Sequence, residues 1–243
     1  EISACLVGSE MCIRDRVGNA AARGSRLIQR YTFFVIFVTH KHTTMEKPEN
    51  RPWEVLSSEY LAREPWFTVR RERLRLPDGR IVPSYYVFEY PAWVNVIAIT
   101  RDGHFVMIDQ YRHGLGETDY EITAGVVEPT DASLLAAAQR ELMEETGYGG
   151  GQWRELMTLS ANPATQNNLT HTFLASGVEL QGDQHLDPTE DLRVHLFTEE
   201  QVLELLRTDR IRQALMAAPL WRYFAETPEA GEPAPGPKEK MIR

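Results

Sequence analysis

The chain has 243 residues and a formal net charge of −9, and 42% of its residues are hydrophobic. These values are typical of soluble globular domains, and they exclude collagen-like, low-complexity and fully disordered chains. No stretch reaches the roughly 18 uncharged apolar residues of a membrane span, and the acidic balance disfavours nucleic-acid binding. We therefore predict no membrane partner and no nucleic-acid partner.

Apolar residues do not recur with a sustained period of 2 or 3.6 in the first 44 residues, so this segment predicts neither strand nor helix. Residues 4–16 look like translated sequencing-adapter sequence, which favours a non-native segment 1–44 with Met45 as the true start. An ordinary disordered extension is the alternative. Two cysteines in all, Cys5 and Cys12, are too few for a disulfide framework and favour a reducing compartment, which we take to be the cytoplasm.

Alternating and apolar runs predict strands from residue 67 onward. Residues 67–76 and 81–90 flank a Pro-Asp-Gly turn, and this arrangement is typical of an antiparallel hairpin. Further strands are predicted at 93–100, 104–111, 153–159, 170–174 and 192–197.

Three helices are predicted among and after these strands. Residues 133–146 have helical composition, with Ser133 as the N-cap and Gly147 placed to end the helix. Two amphipathic helices, 199–206 and 210–224, follow the last strand. Strands, one helix, strands and then helices indicate a mixed α/β sandwich rather than a doubly wound parallel sheet.

One helical segment carries three carboxylates on a single face. Glu141, Glu144 and Glu145 stand at i, i+3 and i+4, so their side chains project together and repel one another. A hard divalent cation with oxygen ligands relieves that repulsion, and Mg²⁺ fits when substrate phosphates complete its coordination. A solvated acidic helix face is the alternative reading of three carboxylates alone.

The longer string around these carboxylates decides between the two readings. Arg-Glu-x-x-Glu-Glu-x-Gly, which runs from Arg140 to Gly147, should occur by chance in about one chain in several thousand of this length. The sequence here resembles the Nudix hydrolases, whose pattern Gly-x5-Glu-x7-Arg-Glu-U-x-Glu-Glu-x-Gly-U, with U a bulky apolar residue, runs from Gly125 through Tyr148. The second half of the pattern matches completely. In the first half the spacing is one residue longer and the first Glu is missing, so that Asp131 or Ala132 stands in its place.

The Nudix resemblance implies an α/β/α sandwich that contains a mixed sheet and a characteristic loop–helix–loop. It also implies two segments after residue 44: residues 45–90 would form an N-terminal strand region that serves dimerisation and the substrate site, and 91–226 the Nudix domain. The Pro- and Gly-rich composition of residues 227–243 predicts a disordered tail.

Within the superfamily the sequence is most similar to the ADP-ribose pyrophosphatase-like branch. Residues 121–125, Glu-Ile-Thr-Ala-Gly, resemble the Glu-x-Pro-Ala-Gly string of that branch, in which the alanine carbonyl, here that of Ala124, joins the metal ligands. By the same resemblance, Arg112 faces substrate phosphate; an exposed surface arginine is the alternative. Pro163 stands near the spacing at which a proline marks ADP-ribose enzymes.

The resemblance also assigns the metal and the general base. Glu141 and Glu145 would bind Mg²⁺, with Mn²⁺ as a substitute, and Glu144 would bind directly or through water. A mobile acidic loop would supply the base that activates water. Glu190 is our choice for that base, which makes Glu144, Glu145 and Glu190 the predicted catalytic residues. The reserve candidates in the same loop are Asp187 and Asp191.

The predicted activity is therefore Mg²⁺-dependent cleavage of ADP-ribose, or of a related nucleoside diphosphate sugar, to a nucleoside monophosphate and a sugar phosphate. Other Nudix specificities, such as NADH or dinucleoside polyphosphates, and a non-catalytic nucleotide sensor are the alternatives. The resemblance also implies a homodimer, with Trp53, Trp66 and Phe67 as interface anchors. Trp93, Tyr85 and Tyr86 can stack on an adenine, but strand aromatics usually fill cores or dimer interfaces, so we leave them unassigned.

Overall fold

The computed structural model of the chain describes residues 47–227. The predictions for residues 1–44, and those for the tail beyond residue 227, lie outside the described residues. The described part forms strands and helices in the following order: β1 (Glu54–Glu64), β2 (Phe67–Arg75), β3 (Ile81–Glu89), β4 (Trp93–Thr100), β5 (Phe105–Arg112), β6 (Glu117–Glu121), β7 (Thr123–Val126), α1 (Leu134–Thr146), β8 (Tyr148–Gly149), β9 (Gln152–Leu159), β10 (Thr170–Leu180), β11 (Leu192–Phe197), α2 (Glu199–Arg207) and α3 (Ala214–Glu226).

The first three strands form an antiparallel sheet in the order β1-β2-β3. The predicted hairpin is present as β2 and β3, but the sequence did not predict β1. Most residues of β1 are exposed, so its sequence lacks the alternation of apolar and polar residues that predicts a half-buried strand. Cross-strand ion pairs accompany its pairing with β2, among them Arg75 Nη1 to Glu54 Oε2 at 2.6 Å.

The remaining strands form one mixed sheet. Its strands follow the order β11-β5-β4-β10-β8, with β6 paired to β5, β7 to β4, and β9 to β10. The neighbours β4 and β10 run parallel, and the other named pairs are antiparallel. The predicted mixed sheet is therefore confirmed.

Helices cover both faces of this sheet. On one face, Val94 and Val96 of β4 belong to a core with Leu142 of α1. On the other face, Ile97 and its neighbours meet α2 and α3, through residues such as Leu220. Alternate side chains of β4 thus point into two different cores, and the predicted α/β/α sandwich is confirmed.

Several element boundaries differ from the predictions. The sequence did not predict β6, β7 and β8, since strands of two to five residues are too short to show a period. The last helix begins at Ala214 rather than 210, and it contains Pro219. Among the helices of the described residues, none has both the length and the apolar character needed to span a membrane.

Candidate active site

Helix α1 is fixed at both ends by its own sequence. The Ser133 hydroxyl accepts a hydrogen bond from the Ala136 amide at 3.1 Å and so caps the first turn. Gly147 ends the helix at φ 72°, a left-handed conformation that glycine adopts without steric cost. Both predicted ends are confirmed, and α1 packs against β7.

The three helix glutamates occupy different environments. Glu141 and Glu145 are buried, at 9% and 4% exposed, whereas the side chain of Glu144 is 42% exposed. The Ala124 amide of β7 donates to Glu145 Oε2 at 3.2 Å. The structure therefore brings Ala124 and Glu145 into contact, buries Glu141 beside them and leaves Glu144 near solvent.

Gly125 lets β7 approach the helix this closely. A Cβ at this position would lie 2.0 Å from Cδ of Glu141, well inside any real contact. The φ of Gly125 lies outside the left-handed range. Space for the Glu141 carboxylate, rather than backbone conformation, is therefore the reason for a glycine here.

The two buried carboxyl groups have raised pKa values. Burial is the largest cause for both, and it raises the pKa of Glu141 to about 7 and that of Glu145 to about 9. The negative charge of Glu190 raises both further, and Glu141 itself raises the pKa of Glu145. Arg140 opposes the shift at Glu141. The site therefore concentrates carboxyl groups that need a positive charge before all of them can ionise.

Arg140 is the cation that holds this region together. Its guanidinium donates to Glu144 Oε2 at 2.9 Å and to the Val126 carbonyl at 2.9 Å, and lies 3.0 Å from Glu141 Oε1. It also donates to both oxygens of Asp131, at 3.1 and 3.0 Å. One side chain thereby links the end of β7, the following loop and α1.

The contacts of Asp131 show which residue replaces the missing Glu of the Nudix pattern. Besides pairing with Arg140, its Oδ2 accepts the Glu128 amide at 2.8 Å. Asp131 therefore braces the loop before α1, and of the two sequence alternatives it, rather than Ala132, occupies that place.

The acidic loop before β11 approaches the helix glutamates through Glu190. Its carboxylate accepts the Asp187 amide at 2.9 Å, and its own amide donates to the Asp187 carbonyl at 2.9 Å, which closes a small turn. Glu190 is half-buried, and Asp187 and Asp191 are exposed. The negative charge of Glu190 is among the main causes that raise the pKa values of Glu141 and Glu145, so this carboxylate lies near both.

Arg112 stands at the end of β5, as predicted, but it is not a free cation. Its Nε donates to Glu121 Oε1 at 2.7 Å, and its Nη2 bonds Glu121 Oε2. The Glu121 side chain is 1% exposed, whereas that of Arg112 is 37% exposed. The Glu121 carboxylate holds the Arg112 guanidinium in one orientation. The sequence predicted no role for Glu121, although an acidic residue shortly before the Ala-Gly string was the available signal.

Pro163 lies exposed in the loop between β9 and β10. That loop is bonded to the N-terminal sheet, since the Phe88 amide donates to the Thr165 carbonyl at 2.7 Å and the Tyr90 amide to Asn167 Oδ1 at 3.1 Å. Among residues 47–227, no hydrogen bond or ion pair joins Pro163 to the glutamates. Its predicted contact with substrate stays a prediction.

The donor set fits a divalent metal by its chemistry. Within residues 47–227 no three His, Cys, Asp or Glu side chains are already arranged as ligands. Glu141 and Glu145 nevertheless supply carboxylate oxygens, which hard divalent cations prefer, and Gly125 leaves space for one of them. Their raised pKa values show that the ionised carboxylates are disfavoured while no counter-charge is beside them.

Comparison with known proteins identifies the family. Residues 53–88 match the nucleoside diphosphate sugar hydrolase N-terminal domain, and residues 90–218 match the NUDIX domain. The chain belongs to the Nudix family. This confirms the resemblance stated from the residues 125–148, and Nudix hydrolases generally use a divalent metal.

Two relatives indicate the branch of the Nudix family to which this protein is similar. The ADP-ribose pyrophosphatase of Mycobacterium tuberculosis (strain ATCC 25618 / H37Rv) is 32% identical over 130 residues, which is 54% of this chain and 62% of that protein. That alignment spans less than two thirds of the mycobacterial protein. The ADP-ribose pyrophosphatase of Bacillus subtilis (strain 168) is 31% identical over 147 residues, 60% of this chain and 78% of the relative. The predicted ADP-ribose pyrophosphatase-like branch is confirmed.

A solved structure supports the fold. The crystal structure of an ADP compounds hydrolase superposes with a TM-score of 0.65 at 23% identity, covering 74% of this chain and 96% of the other.

Proposed function

We propose that this protein is a Mg²⁺-dependent Nudix pyrophosphatase that cleaves ADP-ribose, or a related nucleoside diphosphate sugar, to a nucleoside monophosphate and a sugar phosphate. The observation that carries the proposal is the group of carboxylates around Gly125. Two of them, Glu141 and Glu145, are buried with raised pKa values, and Glu190 adds its charge from a separate loop. The names of the two relatives point to the same substrate.

Each residue of the group would have a distinct part in the reaction. Glu141, Glu145 and the Ala124 carbonyl would hold the metal, with Glu144 binding directly or through water; Mn²⁺ could replace Mg²⁺. When bound there, the ion supplies charge neutralisation to the diphosphate and lowers the pKa of a coordinated water. Arg112, oriented by Glu121, would face a substrate phosphate.

Glu190 is our candidate for the general base. In the proposed step, water adds to one phosphorus, the bond to the bridging oxygen breaks, and the proton of the water passes to the Glu190 carboxylate. Its half-buried position and its effect on the pKa values of Glu141 and Glu145 support this role. The reserve candidates Asp187 and Asp191 are exposed.

We also propose a homodimer formed through the N-terminal region, residues 45–90, with residues 91–226 as the hydrolase domain. Several large side chains of the N-terminal region are exposed in one protomer. Trp66 is 69% exposed, Phe67 54% and Trp53 45%. Exposed aromatic side chains in one region are typical of protein interfaces. A cytoplasmic location belongs to the same proposal; both cysteines, Cys5 and Cys12, lie within residues 1–44, so residues 45–243 have no cysteine for a disulfide framework.

A product assay tests the function. The purified chain should convert ADP-ribose and water to AMP and ribose 5-phosphate in the presence of Mg²⁺, and chelation should stop the reaction. Glu145→Gln should lower kcat by at least about 100-fold, because it removes a carboxylate ligand. Glu204→Gln, an exposed glutamate on α2, is the matched control and should retain full activity. Tight ADP-ribose binding without any product would support the nucleotide-sensor alternative instead.

A further inference from the structure

A cavity of about 250 Å³ lies on the face of the mixed sheet opposite α1. It is bounded by the strands of the sheet and by the first turn of α3. Its walls combine apolar and polar side chains: Trp93, Asn95, Val126, Thr170, Gln213 and Met216.

Asn95 is fully buried, and its amide has one defined orientation. Its Nδ2 donates to the Leu215 carbonyl at 2.7 Å. That carbonyl needs an outside donor because the residue four positions later, Pro219, has no amide hydrogen to offer it. The nitrogen therefore faces the helix, and Oδ1 of Asn95 has no hydrogen-bond partner among residues 47–227.

Two further buried acceptors share this situation. Oε1 of Gln213 and Oγ1 of Thr170 also have no partner within the described part of the chain, and Thr170 is 2% exposed. Gln213 stands at the N-cap of α3, yet among the described residues its side chain makes no capping bond. Buried acceptors without partners destabilise a protein unless a ligand or water satisfies them, so the cavity is built to receive hydrogen-bond donors.

The cavity borders the candidate active site. Ala124, Gly125 and Arg112 also line it. The amide of Ala124 bonds Glu145, and the position of Gly125 is packed against Glu141. The cavity therefore reaches β7 and Arg112, which border the place proposed for the diphosphate.

We propose that this cavity binds the terminal sugar of the substrate, with Asn95, Gln213 and Thr170 as hydrogen-bond partners of its hydroxyl groups. This inference rests on the proposed function. Whole-ligand pockets usually measure about 300–1,000 Å³, so this smaller cavity suits one end of a nucleotide sugar. Sugar hydroxyls donate to amide oxygens, and the apolar Trp93 and Met216 side chains suit the C–H face of the ring.

The test compares two substrates that differ in the group beyond the diphosphate: ADP-ribose and the methyl ester of ADP. The wild type should favour ADP-ribose in kcat/KM by at least about tenfold, the effect of one or two buried hydrogen bonds. Gln213→Met, which keeps the volume but removes the amide, should reduce that preference about three- to tenfold. The matched control, Gln152→Met on the exposed part of β9, should retain it.

A second variant tests the inference even if Gln213→Met does not fold, and a binding measurement tests it even if the protein does not turn over substrate. Thr170→Val replaces a hydroxyl that has no partner among residues 47–227 with a methyl group of similar size, and it should lower the same preference. Binding of both ligands to each variant is measured by calorimetry in EDTA. If the wild type hydrolyses neither substrate, the proposed function fails, and these affinities still decide the inference.

Two results would overturn the inference. One is an unchanged preference for ADP-ribose in both Gln213→Met and Thr170→Val. The other is a change, in these two variants, of the preference for ADP-ribose over its hypoxanthine analogue, while the preference for ADP-ribose over the methyl ester stays the same. That result would show that the cavity binds the base and not the sugar.

Discussion

At the scale of single residues, Gly125 controls how closely β7 can approach Glu141. In Gly125→Ala the new methyl group would lie 2.0 Å from Cδ of Glu141, so the carboxylate must move away. We expect metal affinity to fall about 10- to 100-fold, as for other changes that displace a metal ligand. Titration of activity with Mg²⁺ measures the effect.

Gly114→Ala is the matched control for that variant. A Cβ at Gly114 would meet nothing within 4 Å, and its φ lies outside the left-handed range. This variant should keep the metal requirement of the wild type. An unchanged Mg²⁺ dependence in Gly125→Ala would show that Glu141 does not bind the metal.

The raised pKa values of Glu145 and Glu141 predict how pH affects the metal-free protein. The folded state keeps protons that the unfolded state releases above the ordinary pKa of 4.5, up to about pH 9 for Glu145 and about pH 7 for Glu141. The contribution of these two groups to stability in EDTA is therefore full below about pH 4.5 and is lost as the pH rises through this window. Thermal unfolding from about pH 6 to about pH 9 should show a melting temperature that falls by several degrees.

Divalent metal should reverse this trend, because it binds the ionised carboxylates and releases their protons. The increase in melting temperature caused by Mg²⁺ should thus be larger at about pH 9 than at about pH 6. Glu145→Gln should flatten the EDTA profile, because it removes the group with the larger shift. The same fall in stability in Glu145→Gln would contradict the assignment to this carboxyl.

At the scale of elements, Asp131 joins the loop after β7 to helix α1. Its two oxygens accept hydrogen bonds from Arg140, and one of them also accepts the Glu128 amide. In Asp131→Ala the partly buried Arg140 guanidinium would lose these partners, so we expect the free energy of unfolding to fall by about 1–3 kcal/mol. Denaturant unfolding measures this change.

Asp131→Glu is the conservative comparison at the same position. It restores the residue of the Nudix pattern and keeps a carboxylate for Arg140, so it should retain most of the stability. If Asp131→Ala were as stable as the wild type, the remaining contacts of Arg140, with Glu144 and the Val126 carbonyl, would suffice to hold the loop.

At the scale of the whole molecule, the exposed aromatic residues of the N-terminal region predict a dimer. Light scattering should give twice the mass of one 27.8 kDa chain. Trp66→Ala should weaken the dimer about 10- to 100-fold, because large aromatic anchors dominate interfaces. Trp221→Ala, which removes a 43% exposed tryptophan on α3, is the control and should leave the dimer intact. A monomer at micromolar concentration would contradict the prediction.

The sequence predicted the part of the site that lies within one helix, because i, i+3 and i+4 spacing fixes which side chains share a face. It could not predict the cavity acceptors, since Asn95 and its partner Leu215 are 120 residues apart and meet only after β4 and α3 pack together. The pairing of Arg112 with Glu121 was likewise hidden, because it depends on β6 lying beside β5. Local patterns reveal local geometry, whereas partners from distant elements emerge only from the fold.

The hydrogen bonds between β3 and the loop that carries Pro163 have a consequence for how this protein can be recombined with its relatives. Because the Phe88 and Tyr90 amides bond residues of that loop, and Tyr85 bonds the Ala164 carbonyl, the two segments must match each other in shape. A chimera that exchanges residues 53–90 alone would mismatch this junction. Exchanging residues 160–169 together with them would preserve the junction. The two segments should therefore be exchanged together.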